Sequence, residues 1–382
     1  MVLKRLQTQA LACINCVGSR LRAGYAISLR LRLRLRLRCR FVRPIEITQS
    51  GKPRPAWLVL TVLSLTACTP NSDSEFAVYR DRLGRTLKLD LPTPDPLKAP
   101  LSEANSIAAV AIAEIRFELL DMLALDSCGL QPNKPSLGNL IAERNSSLGK
   151  VMTYSTQLQY EIKLLQALEA CIADEQAPAD LRETLKQTYL QKQQQLPARL
   201  LNFLQLDTTL RQQVFGSQRP LDLTSGQAVE TRLALQNLIA LKQHIQRKDY
   251  LQASQIDINK QIAALYQGQV LADLQHSLRS NLTQLQQLNR QLQHWDPAWC
   301  KAETQDILQQ VLLQVFIGKL QLQLAHQDGI AQQLIPQLNT LYADTTLASS
   351  VTERFQQPWQ QLHIELKRHI AWWQQLRNAC KR

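Results

Sequence analysis

Apolar positions in the second half of the chain recur at helical spacing. Leu271, Leu274, Leu278, Leu282, Leu285, Leu288, Leu292 and Trp295 stand three or four residues apart on a glutamine-rich background. That places them in one stripe close to a heptad, with the glutamines on the solvated faces. Asp296-Pro297 ends the run. Near the start of the folded part, Phe76, Tyr79, Leu83 and Leu87 repeat the pattern and predict a helix over 75–89. Pro92 to Pro100 breaks it. A second helix is expected over 102–125, with Ser102 as its cap and Ile107, Ala111, Ile115, Leu119 and Met122 on its apolar face. Further helices are expected over 154–173, over 179–206 with a kink or break at Pro197, and over 301–327, 330–342 and 348–379. No period-two strand is found after residue 68. The fold class expected is all-α, a bundle of long antiparallel helices. It forms one body or two subdomains, 76–216 and 217–382, meeting at the loop around Pro220 and Gly226.

One apolar run does not fit a globular core. Lys52 and Arg54 precede Ala56 to Leu65, about ten residues and too short to span a bilayer of ~30 Å. A positive region, an apolar region and small residues before a cleavage point form a secretory signal. Leu65-Thr66-Ala67-Cys68 at its end resembles the lipobox of bacterial lipoproteins. The resemblance implies diacylglyceryl transfer to the Cys68 sulfur and cleavage after Ala67, making 52–67 a signal peptide and 68–75 a lipidated tether. Each buried CH₂ adds roughly 0.8 kcal/mol, so two or three acyl chains anchor a protein almost permanently. Thr69 is not the aspartate of an inner-membrane retention signal, which points to the outer membrane, periplasmic face. Residues 1–51, with five Leu-Arg pairs from Leu29 to Arg38, are too long for a natural leader and read as a mis-assigned start.

Charge changes once that leader is set aside. The whole chain carries 44 basic and 31 acidic residues, net +13. Thirteen of the basic residues and one of the acidic ones lie in 1–67, so the 315 residues from Cys68 onward are close to neutral. Nothing there suggests nucleic acid as a partner. After Cys68, four cysteines remain: Cys128, Cys171, Cys300 and Cys380. An even number in an exported chain reads as disulfides. Cys128–Cys171 and Cys300–Cys380 are the expected pairs, because each links neighbouring helical hairpins within one half.

The block Leu140 to Met152, LIAERNSSLGKVM, has an apolar start, a charged and polar centre, then Gly149-Lys150. With the early FAVYRDRLGRTL and the cysteine before it, the block resembles an uncharacterised family of Gram-negative lipoproteins, domain of unknown function 3080. The resemblance covers essentially all of 68–382. It implies a class and no activity.

Chemistry is sparse. Ser147-Leu148-Gly149-Lys150 matches the S-x-x-K in which a lysine activates a serine one helical turn away. No K-T-G accompanies it, so Ser147, Lys150 and Glu143 are weak catalytic candidates, better read as a polar helix junction. The six histidines never form H-E-x-x-H; they are expected to be solvated or to cap helices, and neither a metal nor a cofactor is expected. Trp359, Trp372 and Trp373 lie near one stripe of the last helix; Trp372 stands ~100° round from Trp373, so a groove for a peptide, glycan or lipid could open there. The function expected is a lipid-anchored, non-catalytic binding or scaffolding component of the cell envelope, held to the membrane through Cys68 and with an envelope protein as partner. The alternatives are an envelope hydrolase or acyltransferase using Ser147 and Lys150, or a carrier of lipids or small molecules.

Overall fold

The computed structural model describes residues 72–95, 97, 107–113, 137–145, 152–216, 219–224, 226–295, 300 and 302–380. The chain divides into two units, Met1–Thr66 and Ala67–Arg382, and every described residue belongs to the second. Among the described residues there is no strand, and none of their helices is long and apolar enough to cross a membrane.

The elements are α1 (Ser72–Leu87), α2 (Leu137–Asn145), α3 (Tyr154–Ile172), α4 (Ala179–Leu206), α5 (Thr208–Phe215), α6 (Gln227–Gln246), α7 (Tyr250–Gln255), α8 (Ile258–Gly268) and α9 (Val270–Leu292). A single helical run follows: α10 (Ala302–Gln310), a π-helical stretch Val311–Leu320, and α11 (Gln321–Tyr342). The last run joins α12 (Ala348–Val351), a second π-helical stretch Thr352–Gln356, and α13 (Gln357–Ala379).

Short acceptor side chains start several of these helices. The Thr153 hydroxyl accepts from Thr156 N, and Asp207 from Thr209 N and Leu210 N. Asp249 accepts from Gln252 N and Asp257 from Lys260 N. Each bond satisfies one of the donors a helix start leaves open, worth ~1 kcal/mol. α1 starts at Ser72, inside the stretch expected as tether, with Asp73 and Glu75 in its first turn where the helix dipole favours acids.

The leucine stripe of α9 is buried along its whole length. So are Phe76, Tyr79, Leu83 and Leu87 of α1. One apolar cluster runs from Phe76 to Leu376 and crosses the loop near residue 220; a smaller one gathers Leu137, Leu140 and Ile141 of α2 against α3 and α4. Helices α3 and α4 form an antiparallel hairpin whose register is fixed by Lys192 Nζ on Glu161 at 3.0 Å and Arg199 on Gln157 at 3.3 Å. Helices α9 and α13, separated in sequence by the α10–α11 run, lie side by side in the same direction. Asn289 meets Glu365, and their C-terminal ends come together at the Cys300–Cys380 disulfide.

Three expectations need correction. Residues 107–113, expected within a helix, are not helical. Asn202 of α4 pairs both backbone groups of Val110, donating to its carbonyl at 2.9 Å and accepting from its N–H at 2.8 Å, and Gln195 donates to the Ala113 carbonyl. Side chains of α4 thus take bonds a helix would have made, and the alanines of this stretch offer little apolar area to repay helix formation. The rest of the expected 102–125 helix lies outside the described residues. Pro197 does not break α4, which runs unbroken through it. Nor does a helix end at Asp328-Gly329: α11 passes through both.

Candidate functional site

Ser147 and Lys150 lie outside the described residues, as do Cys68 and Cys128. Glu143 is exposed on the last turn of α2. Cys171 is fully buried and disulfide-bonded, and Cys300–Cys380 closes as expected, with Cα atoms 5.3 Å apart. The three tryptophans do not gather at one groove. Trp359 donates its indole N–H to Asp328 at 2.6 Å, and Trp373 is buried, donating to Tyr79 Oη at 2.7 Å. Only Trp372 opens onto a cavity.

Beneath it lies a chain of buried polar groups whose proton positions follow from one fixed point. The Glu365 backbone carbonyl can only accept, so the Asn289 atom 2.9 Å away is its amide nitrogen. Asn289 Oδ1 then faces His369 Nδ1 at 2.9 Å, which must carry the proton. His369 Nε2 accepts from Tyr79 Oη at 2.6 Å, and that oxygen accepts from Trp373. Every member is satisfied with His369 neutral. Complete burial pushes the His369 imidazolium down to about 3 and raises Tyr79 well above the usual phenol range. Phe316, carried by the first π-helical stretch, closes the cluster at 5.4 Å from the Tyr79 ring and 5.0 Å from the His369 ring. Both ring nitrogens of His369 are thus bonded within the core, and its side chain is sealed from solvent.

A second histidine sits differently. His363 Nε2 meets Asp328 Oδ1 at 2.6 Å. Burial works against ionisation of Asp328, but the bonds from His363 and Trp359 outweigh it and hold the carboxyl below its ordinary range. No serine, threonine or cysteine is bonded to His363 among the described residues.

Two cavities are lined by the described residues around this core. One, of about 400 Å³, lies between the C-terminal ends of α9 and α13 and is lined by Trp295, Trp372, Arg368, Gln293 and Gln375. Arg368 is already held by Glu365 through two contacts of 2.8 and 3.0 Å. The other, about 500 Å³, is walled by Leu196, Leu200, Leu201, Leu204, Ile245 and Tyr250, where α4 meets the ends of α6 and α11. Val110 borders it, on the segment that Asn202 clamps.

The model of a family described as a protein of unknown function, DUF3080, matches residues 76–382. The chain belongs to the DUF3080 family. No curated protein and no solved structure matches it.

Both cavities and the His369 cluster of this DUF3080 chain lie inside the matched region, and Cys68 lies before it. The sequence pattern missed the larger cavity, because its walls are ordinary core leucines. One signal was present: a proline within a long helical pattern leaves the carbonyl four residues earlier without its donor and loosens packing around it. Pro197 and Gln193 are such a pair, and both border the cavity.

Proposed function

We propose that this DUF3080 protein is a lipid-anchored, periplasm-facing helical lipoprotein of the outer membrane, working as a non-catalytic binding or scaffolding component of the envelope. The observation that carries the reading is the spacing of Leu65-Thr66-Ala67-Cys68 before α1: Cys68 stands four residues ahead of Ser72. An acyl-cysteine there would hold the helical body directly against the membrane surface, through a linker of at most ~14 Å. Two further observations support export. Cys300–Cys380 is closed and Cys171 is disulfide-bonded, chemistry at home in an oxidising compartment.

The test has two arms. Metabolic labelling with an alkyne fatty acid should mark the wild type and leave Cys68→Ser blank, with the variant released from the membrane fraction. An unlabelled wild type would overturn the anchor. Ser147→Ala should leave the cellular phenotype intact at unchanged abundance; loss of phenotype in that variant would favour the hydrolase or acyltransferase reading instead.

A further inference from the structure

The larger cavity carries an inference of its own. Its volume, about 500 Å³, lies within the range of small-ligand sites, and its walls are aliphatic side chains from two helices, with Tyr250 at the start of α7. Two lysines border it. Lys242 is buried and spends its three N–H groups inside the protein, on Thr340 O at 3.3 Å, Leu341 O at 3.1 Å and Asp344 Oδ2 at 3.0 Å. It has none left for a ligand. Lys248 is exposed and pairs with no carboxylate among the described residues. Its backbone is held in the left-handed region, φ 61°, where a lysine is uncommon; the turn that places it follows directly on α6. Pro197 borders the cavity within α4. Its ring stands where a helical N–H would bond the Gln193 carbonyl, on the face of α4 that forms the wall.

Of the charged groups at its border, the Asp344 carboxylate is already paired with Lys242, which leaves Lys248 as the cation available to a ligand; an apolar volume with such a mouth matches one kind of molecule. We propose that this cavity binds a single acyl chain ending in an anionic group, with the chain between α4 and Ile245 and the head paired to Lys248. The shared chemistry fits a free fatty acid or a lysophospholipid. The site needs the cavity and not the Cys68 anchor, so it can fail while the anchor stands, and the reverse.

The experiment uses the Cys68→Ser form of the full chain, purified without detergent and stripped of lipid on an apolar resin. Calorimetric titration with saturated carboxylates of increasing length, each below its micellar concentration, should show affinity rising about fourfold per added CH₂. It should then level off once the cavity is full. Ala198→Phe, which grows a ring from the cavity wall, should weaken binding of the longest carboxylate at least tenfold. Lys248→Asn, a residue tolerant of the left-handed backbone, should weaken carboxylates about tenfold and leave the matching fatty alcohol unchanged. Urea midpoints of both variants within error of the parent show that neither effect is unfolding. A lysophospholipid competing with the carboxylate at equal affinity would identify phosphate-headed lipids as the source; failure to compete would identify free fatty acids. The proposal is overturned by no heat of binding at any length, by affinity that climbs without levelling and ignores Ala198→Phe, or by alcohol and carboxylate binding alike.

Discussion

His369 sits in an environment far from its ordinary chemistry. Its neighbours leave it one protonation state, neutral with the proton on Nδ1, and burial holds its imidazolium near about 3. An unfolded histidine takes a proton near ~6.5. Between those values the unfolded chain binds a proton that the folded chain refuses, so stability rises with pH across the window and is lost as pH falls from about 6.5. His369→Phe should remove that part of the slope. It should also cost about 1–3 kcal/mol at pH 7, because the Tyr79 hydroxyl loses its acceptor and Asn289 Oδ1 its donor. Urea unfolding at pH 7 and pH 5 reads both effects; an unchanged slope would mean the imidazole is not sealed. Histidines were expected to be solvated or to cap helices, and His369 does neither. What the spacing could not carry was Tyr79, some 290 residues away, which turns a polar side chain into a core one. The glutamines hold the same lesson. Gln275, which the pattern put on a solvated face, is buried and donates to the Val214 carbonyl, and Gln213, in a stretch where no helix was expected, is buried and donates to the Leu265 carbonyl.

Elements were legible in proportion to how much of their stability is their own apolar stripe. The stripe of α9 announces itself because every third or fourth residue enters one core. The spans of α3 and α4 follow closely for the same reason, and α1, expected over 75–89, runs from Ser72 to Leu87. The segment 107–113 was misread because its conformation is set from outside, by Asn202 and Gln195. The π-helical stretch Val311–Leu320 was not visible either: a periodic apolar pattern has no mark for one extra residue per turn. Its effect is local but consequential, since it sets Phe316 against Tyr79 and His369. A close approach at the end of α5 gives the sharpest prediction at this scale. Gly216 turns the chain out of the helix in an extended conformation while its N–H still reaches Gln212 O at 2.7 Å. A Cβ built there would stand 2.4 Å from that same carbonyl oxygen. Gly216→Ala must therefore displace backbone, and should destabilise by about 1–3 kcal/mol despite alanine's lower unfolded-state entropy. A thermal-melt comparison checks it; a gain in stability would show that the helix end relaxes freely.

At the scale of the whole molecule, the order of the helices raises a question that the disulfide answers. α9 and α13 lie parallel, and the α10–α11 run must leave α9 and return before α13 can dock. Such a non-local pairing costs loop-closure entropy before any contact repays it. Cys300–Cys380 removes that cost from the unfolded side: it closes a loop of 80 residues that spans the excursion. In the chain-entropy account a loop of that length is worth about 4–5 kcal/mol. The pairing itself was legible from the sequence, since the two cysteines follow the two helices they staple; the parallel arrangement was not, because spacing along one helix carries no direction for its neighbour. The Cys300→Ser, Cys380→Ser form should thus unfold at clearly lower urea than the parent. Its loss should appear with little change in the helical circular dichroism signal at zero denaturant, since the α9 stripe and α13 contacts remain. Reducing agent also opens the Cys171 disulfide in both forms, so it should bring parent and double variant to one common midpoint, with the larger shift in the parent. If the reduced parent and the double variant kept the parent's midpoint, the disulfide would add nothing to stability, and the packing of α9 on α13 would by itself repay the cost of closing the 80-residue loop.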